Sequence, residues 1–281
     1  MAKSLGKFNG MERGLTVLNK GIIALITDFG LKDNYVGIMK GVIYSINPNI
    51  QIVDITHGVP KFNIRSGAFL LYTAYKHFPR GTIFVYVVDP GVGTHREPIA
   101  IKTSKYIFIG PNNGFFSLIY PEDPPLEIRK IENKEYLLDT LSYTFHGRDI
   151  FAPAAAHLSK GIPFENLGEV MKPEDLILFS VQKPQKEGNK YICTVLHIDD
   201  FGNIITNMPG RFFLEYEQFG SVFSIAGKSV KFVKTFGEVS KGEPILIIDS
   251  FNLIEISVNQ GSAKDLFRIN VGDNIMIVKM H

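Results

Sequence analysis

Three residues have the side-chain types needed to position and deprotonate a water molecule: Asp89, Arg96 and His146. Asp89 and Arg96 lie in one glycine-rich turn, DPGVGTHR, and His146 lies in the segment FHGRD. A carboxylate can orient its neighbours, a guanidinium can stabilise negative charge, and an imidazole can accept a proton. The alternatives are a surface ion pair of little energetic value and a structural histidine.

A second candidate is Asp28, which directly follows the apolar run 22–26 in the segment TDFG. A carboxylate at this position can accept two hydrogen bonds from a ribose diol, or it can tighten the loop and cap a helix. Asp33 lies just before the next helical pattern, and there a capping role is the better prediction.

A third candidate segment, HIDDFGNIITN (197–207), interrupts an apolar strand with a polar turn. Asn203 and Asn207 can each read an adenine edge, because an amide both donates and accepts hydrogen bonds. They are equally plausible as simple turn residues. The segment DSFN (249–252) links two β-type runs and is predicted to be a hairpin turn.

The sequence predicts no metal and no cofactor. The single cysteine excludes an internal disulfide and a multi-cysteine site. Neither HxH nor HExxH occurs, and four further histidines have no ligand spacing: His57, His77, His157 and His197. A site built from Asp28, His57, Asp89 and His146 is conceivable but unspecific.

The elements that position these residues alternate between strand and helix patterns. Short apolar runs at 22–26, 50–55 and 82–88 predict buried strands. Apolar residues spaced three and four apart within 35–46 and 64–78 predict amphipathic helices. Further strands are predicted at 98–103 and 106–109 and a short helix at 150–159. This order predicts an α/β fold, with a mostly parallel sheet flanked by helices and ligands at its carboxyl edge.

The character of the chain changes after the polar segment VQKPQKEGNK, which we interpret as a linker or a wide turn. Short β-type runs separated by turn residues predict a smaller C-terminal antiparallel β-barrel or sandwich. These runs cover 191–198, 220–225, 229–232, 244–248, 253–258 and 274–279. We therefore expect an N-terminal arm (1–20), an α/β domain (21–187) and a β-barrel domain (188–281).

Composition argues against several classes of protein. With 30 basic and 28 acidic residues in 281, the net charge is +2 and no basic stripe occurs, so a nucleic-acid partner is not expected. No apolar run approaches the roughly 18 residues that span a bilayer, so no membrane partner is expected. The N-terminus has no apolar signal region. We expect a cytoplasmic protein.

Six ordered blocks carry a resemblance to a known family: ITDFGLKDNYVGIMKGVI, IVDITHGV, VVDPGVGT, GPNNG, FHGRDIFAP and IDDFGNIITN. In these blocks the chain resembles the S-adenosylmethionine hydrolases (adenosine-forming), also called hydroxide adenosyltransferases, which are related to fluorinase and chlorinase. The resemblance covers about residues 21–262. It implies hydrolysis of S-adenosyl-L-methionine to adenosine and L-methionine by nucleophilic substitution. It also implies a homotrimer with active sites between subunits.

The resemblance also implies roles for individual residues. The family's catalytic triad falls on Asp89, Arg96 and His146, and its ribose-binding carboxylate on Asp28. The acid that binds the methionine amine falls on Asp199, with Asp200 as the alternative. The other implied substrate contacts are Phe62 and Phe145 near the sugar and sulfur, Phe201 and Asn203 at the adenine, Ser250 at the methionine carboxylate, and the backbone near Val258 and Gln260.

Departures from the fluorinase pattern favour water over halide as nucleophile. Phe251 stands where the fluorinase has arginine, DPGV (89–92) replaces its Tyr-Pro-Ala-Thr, and His146 replaces a tyrosine. Methionine leaves readily from a sulfonium, so the expected task is to hold a desolvated nucleophile in line with C5′. The alternatives are a halide-dependent adenosyltransferase, a metal-dependent phosphoesterase and a non-catalytic nucleoside-binding module.

Overall fold

The computed structural model describes residues 21–280; the predicted N-terminal arm lies outside the described residues. Its first sheet has six strands: β1 (Ile22–Thr27), β2 (Gln51–Thr56), β3 (Ile83–Val87), β4 (Pro98–Lys102), β5 (Ile107–Pro111) and β6 (Glu127–Lys130). The strand order is β2-β1-β3-β5-β4-β6. The first four strands of this order are parallel, whereas β4 pairs antiparallel with both β5 and β6. The predicted mostly parallel sheet is confirmed.

Helices cover both faces of this sheet. They are α1 (Tyr35–Ile46), α2 (Ile64–Ala74) and α3 (Ala152–Ser159). The apolar side chains of α1 and α3 share one core with β1 and β3, while α2 packs into a second core on the opposite face. A π-helical turn, Gly147–Phe151, precedes α3, and single 3₁₀ turns occur at Tyr75–His77, Lys134–Tyr136, Phe164–Leu167 and Pro173–Asp175.

The second sheet closes on itself. Its strands are β7 (Gln185–Glu187), β8 (Lys190–Ile198), β9 (Ile204–Pro209), β10 (Val222–Ile225), β11 (Lys228–Phe232), β12 (Pro244–Ile248), β13 (Leu253–Val258) and β14 (Asn274–Lys279). The pairing of β14 with β8 closes a barrel of seven strands around one apolar core, and β7 extends β8 outside the ring. The short helices α4 (Gly210–Leu214) and α5 (Ala263–Phe267) and a 3₁₀ turn, Phe236–Glu238, lie between strands.

The predicted C-terminal barrel is therefore confirmed, with three differences. The strand β7 lies within the segment predicted to be a linker or a wide turn. One pair of strands, β11 and β12, is parallel, because the residues between them carry the chain back across the barrel instead of reversing it in a hairpin. The strand β9 was not predicted, since Thr206 and Asn207 resemble turn residues. In the barrel Thr206 is buried and its hydroxyl donates to the carbonyl of Ile254 at 2.7 Å.

Three local predictions have a clear outcome. The turn at 249–252 joins the antiparallel strands β12 and β13, as expected. The capping role of Asp33 is wrong: α1 has Asn34 at its N-cap, without a side-chain cap hydrogen bond. The turn reading of Asn207 is also wrong, while its contact with adenine stays a prediction. It lies within β9, where its side chain accepts from the amide of Thr194 and donates to the carbonyl of Gln182.

Between residues 21 and 280 no helix combines the length and the apolar character that crossing a membrane requires. The expected cytoplasmic location and the expected absence of nucleic-acid partners stay predictions.

Candidate active site

Asp89, Arg96 and His146 form one hydrogen-bonded group at the carboxyl edge of the first sheet. Asp89 lies two residues beyond β3, and the turn that follows returns Arg96 to its carboxylate. Arg96 Nε lies 2.9 Å from each carboxylate oxygen, and its Nη2 contacts Oδ2 as well. The two side chains are only 8% and 5% exposed, so this is a buried ion pair rather than the surface pair considered above.

The arrangement determines which nitrogen of His146 carries a proton. Arg96 Nη2 lies 2.7 Å from His146 Nδ1. A guanidinium has donors only, so Nδ1 must be the acceptor and the neutral ring carries its proton on Nε2. Burial lowers the pKa of His146, the Arg96 charge lowers it further, and Asp89 and Asp149 only partly oppose this. Because the pKa of His146 is below its ordinary value, the ring stays neutral to a lower pH than a free histidine does.

Asp28 lies in the same cavity and is held by the loop that follows β2. Its carboxylate Oδ2 accepts from the amide of Phe62 at 2.9 Å, and Lys61 Nζ contacts its backbone carbonyl. The residue is 6% exposed. No hydrogen bond to Oδ1 comes from residues 21–280, so this oxygen can accept from a ligand.

Asp28, Asp89 and His146 line a cavity of about 610 Å³, which is large enough for a nucleoside. The structure brings five predicted site residues to its wall: Asp28, Phe62, Asp89, Phe145 and His146. Arg96 stands behind Asp89 and His146. Its Nη1 is buried and has no hydrogen-bond partner among the described residues, although a buried donor normally has one.

Phe62 occupies this wall in a strained conformation. Its φ is 62°, in the left-handed region that a bulky side chain seldom adopts, and the residue is 69% exposed. The strain is held by the hydrogen bond from the Phe62 amide to Asp28. Strain of this kind concentrates at functional sites.

A second cavity, of about 850 Å³, lies where the barrel meets α2. All six predicted C-terminal site residues line it: Asp199, Phe201, Asn203, Ser250, Val258 and Gln260. Phe69 of α2 forms part of the same wall and stacks on His197, with ring centroids 5.3 Å apart. The two cavities share no lining residue.

The turn at 199–203 orders the wall of this second cavity. Asp199 Oδ1 accepts from the amides of Phe201 and Asn203, and Oδ2 accepts from the Asn203 side chain at 2.9 Å. The side-chain carbonyl of Asn203 therefore stays free to accept from a ligand, and Phe201 projects with 79% of its surface exposed. Asp249 organises the turn before β13 in the same way, through the amides of Phe251 and Leu253.

Sequence reasoning missed several cavity residues. Lys61, Tyr35, Ser142 and Arg148 line the first cavity. Asp249, Glu255 and His197 line the second, where burial raises the pKa of both carboxyl groups and lowers that of the histidine. Lys61 and Asp249 carried a signal, because they adjoin the predicted residues Phe62 and Ser250 in sequence, and His197 begins the predicted segment HIDDFGN. No group of three or more potential metal ligands occurs among the residues that the structure describes.

Comparison with known proteins assigns the class to which this fold and site belong. The family model for the SAM hydroxide adenosyltransferase N-terminal domain matches residues 23–168, and the C-terminal domain model of that family matches 193–276. The chain belongs to the SAM hydroxide adenosyltransferase family, as its sequence blocks predicted.

Individual relatives are more specific. A Thermus thermophilus protein named (R)-S-adenosyl-L-methionine hydrolase is 36% identical over 260 residues, covering 89% of this chain and 96% of that protein. One of the same name from Methanocaldococcus jannaschii is 35% identical, covering 92% and 95%. A fluorinase from an Actinoplanes species is 25% identical, covering 92% and 97%. A solved structure of a conserved protein from Thermotoga maritima is 41% identical with a TM-score of 0.85, covering 91% and 99%.

Proposed function

We propose that this chain hydrolyses S-adenosyl-L-methionine to adenosine and L-methionine, acting on the (R) epimer at sulfur that the names of its relatives specify. The observation that carries the proposal is the cavity that the carboxylate of Asp28 lines together with Asp89 and His146, both of which are hydrogen-bonded to Arg96. The relatives support the same substrate.

The proposed reaction is a single displacement at the ribose C5′. An oxygen lone pair of water or hydroxide forms the O–C5′ bond as the C5′–S bond breaks, and the bonding pair returns to sulfur. The sulfonium becomes the neutral thioether of methionine, and the water proton is released to solvent. Because the leaving group needs no protonation, the chain has only to position and desolvate the nucleophile.

Within this mechanism Arg96 stabilises the nucleophile electrostatically from behind Asp89 and His146. Its guanidinium stays charged at neutral pH and favours an oxygen that gains negative charge. Asp89 holds the guanidinium through both carboxylate oxygens, and His146 Nδ1 accepts from Arg96 Nη2. His146 has no lone pair left for the water proton, so we assign it a hydrogen-bonding role instead of the proton-accepting role considered from sequence.

Replacing His146 with asparagine tests this role. The amide oxygen can replace Nδ1 as the acceptor for Arg96, so we expect kcat to stay within about tenfold of wild type. Loss of a general base would instead lower it by about 10² to 10⁴. Because the pKa of His146 is lowered, the wild-type rate should fall only as pH drops below the ordinary histidine value, when a protonated Nδ1 repels Arg96.

The measurement is kcat against pH for both proteins. In the asparagine variant the fall in kcat at low pH should disappear, because no titrating group then occupies position 146 beside Arg96. A variant that keeps the limb, or that loses more than a hundredfold in rate, would contradict the assignment.

The reaction itself is tested with purified, metal-free protein in halide-free buffer, supplied separately with the (R) and (S) sulfonium epimers. Equal amounts of adenosine and methionine from the (R) epimer, with chelator present, are expected. Turnover only after chloride or fluoride is added, with a 5′-halogenated nucleoside as product, would instead favour a fluorinase-like activity. Binding without turnover would favour a nucleoside-binding module.

We further propose a homotrimer in which the first cavity of one subunit faces the second cavity of its neighbour. Two features support it: the cavities share no residue, and large apolar side chains are exposed beside both. Phe62, Tyr143 and Phe201 are among the most exposed apolar residues of the described chain. Exposed apolar surface of this kind marks an interface.

Mixing two inactive variants tests this arrangement. Arg96→Ala damages only the first cavity and Asn203→Ala only the second, so refolded 1:1 mixtures should regain activity at about a quarter of the sites if each site joins two subunits. Sites built within one chain would regain nothing. Each variant refolded alone is the control.

A further inference from the structure

A hydrogen-bonded chain runs behind Asp28 from the protein surface. Thr27, the last residue of β1, is fully buried, and its hydroxyl lies 2.8 Å from Nδ1 of the buried His57. The same hydroxyl accepts from the amide of Phe29 at 3.2 Å. These two hydrogen bonds fix Thr27 Oγ1, and they hold the residues that precede and follow Asp28 in sequence.

The far side of His57 faces two charged groups. Its Nε2 lies 3.0 Å from Asp54 Oδ1, a contact off the axis of the ring N–H, and the other oxygen of Asp54 accepts from Lys40 Nζ at 2.6 Å. Burial alone would raise the pKa of Asp54, but the hydrogen bond from Lys40 and the nearby His57 ring lower it below its ordinary value. An ionised Asp54 favours the proton on Nε2, which leaves Nδ1 to accept from Thr27.

Backbone hydrogen bonds connect the same two loops. The amide of Gly30 donates to the carbonyl of His57 at 2.7 Å, and the amide of Val59 donates to the carbonyl of Thr27 at 3.3 Å. The loop that begins at His57 then delivers the Phe62 amide to the Asp28 carboxylate. The orientation of Asp28 therefore depends on how these two loops are joined. The side chain of His57 joins them through its hydrogen bond with Thr27.

We propose that His57 is a positioning residue for ribose binding: through Thr27 it sets the direction of the Asp28 carboxylate, and Asp54 with Lys40 fixes its tautomer. The inference rests on the proposed function, since it assumes that Asp28 binds the ribose hydroxyls. Neither His57 nor Thr27 lines the cavity, so neither touches substrate.

Thr27→Val is the sharpest test, because it removes the hydroxyl and nearly preserves the shape. Thr27→Ser, which keeps the hydroxyl, is the matched control. The binding ligands are adenosine and 2′,3′-dideoxyadenosine, measured by calorimetry with the full chain. The valine variant should bind adenosine about tenfold more weakly, the factor expected when a misdirected Asp28 carboxylate loses one hydrogen bond to the ribose. Its affinity for the dideoxy ligand should not change.

Kinetics give a second reading that a purely structural role would not produce. The valine variant should raise KM for S-adenosylmethionine about tenfold with kcat within about twofold, because ribose binding is the same before and during reaction. The serine variant should resemble wild type. If the valine variant does not fold, Asp54→Asn replaces it, since Asp54 is the half-exposed outer member of the series Thr27, His57 and Asp54. This variant should raise KM about threefold.

Equal loss of affinity for both ligands, or a loss of kcat at unchanged KM, would overturn the role of His57 while leaving the proposed reaction intact. Failure of the proposed function looks different. A wild-type protein that binds adenosine and dideoxyadenosine equally would overturn the ribose assignment of Asp28, and this inference with it.

Discussion

Replacing Arg96 with alanine is expected to lower kcat for S-adenosylmethionine hydrolysis by about 10³, because oriented charge at the developing oxyanion is lost. The affinity for substrate should stay within a few fold. Arg96 lies behind the cavity wall, where Asp89 and His146 separate it from most of the bound ligand. Arg96 therefore contributes to catalysis by stabilising the nucleophile, and it contributes little to the binding of substrate.

Arg96→Lys is the control for charge. Lysine keeps a cation beside Asp89 but cannot reach both Asp89 and His146 with a planar fork, so most of the loss should persist. Because alanine leaves Asp89 buried and unpaired, which can cost about 3–5 kcal/mol, melting temperatures are needed beside the rates. A variant that is fully folded but loses affinity and kcat in equal measure would contradict the role assigned to Arg96.

Much of the fold could be predicted because hydrophobic periodicity reports burial directly. The runs that became β1 and β3 are apolar throughout and buried on both faces. The pattern of α1 places Met39 and Ile43 in the core. The strand β9 shows where this signal ends. Its polar residues are satisfied by long-range partners, Ile254 and Thr194, which sequence neighbours do not indicate.

The site was predictable in its members and less so in its chemistry. The seven-residue separation of Asp89 and Arg96 already allowed a pair within one turn, and the structure makes it a bidentate one. The acceptor role of His146 Nδ1 could not be predicted, because it depends on which atom of Arg96 approaches the ring across 50 residues of sequence. The contact between His57 and Thr27, 30 residues apart, is hidden for the same reason.

Replacing Asp28 with asparagine should raise KM for S-adenosylmethionine about 10²-fold and change kcat much less. The amide can still accept from Phe62 with one oxygen, but it no longer offers a second charged acceptor to a ribose diol. Each hydrogen bond to a charged group contributes about 1.5–3 kcal/mol, so losing most of two of them accounts for the factor. Initial rates over a range of substrate concentrations provide the measurement.

Asp33→Asn supplies the matched control. Asp33 lies five positions further along the same loop, is exposed and lies outside the cavity, so its substitution removes the same charge without removing a ligand contact. The substrate is a cation, and either substitution weakens its long-range attraction to the protein by a similar, salt-dependent amount. The difference between the two variants therefore isolates the ribose contact. Similar KM values for the two variants would mean that Asp28 acts only through its long-range charge, which would contradict its assignment to the ribose.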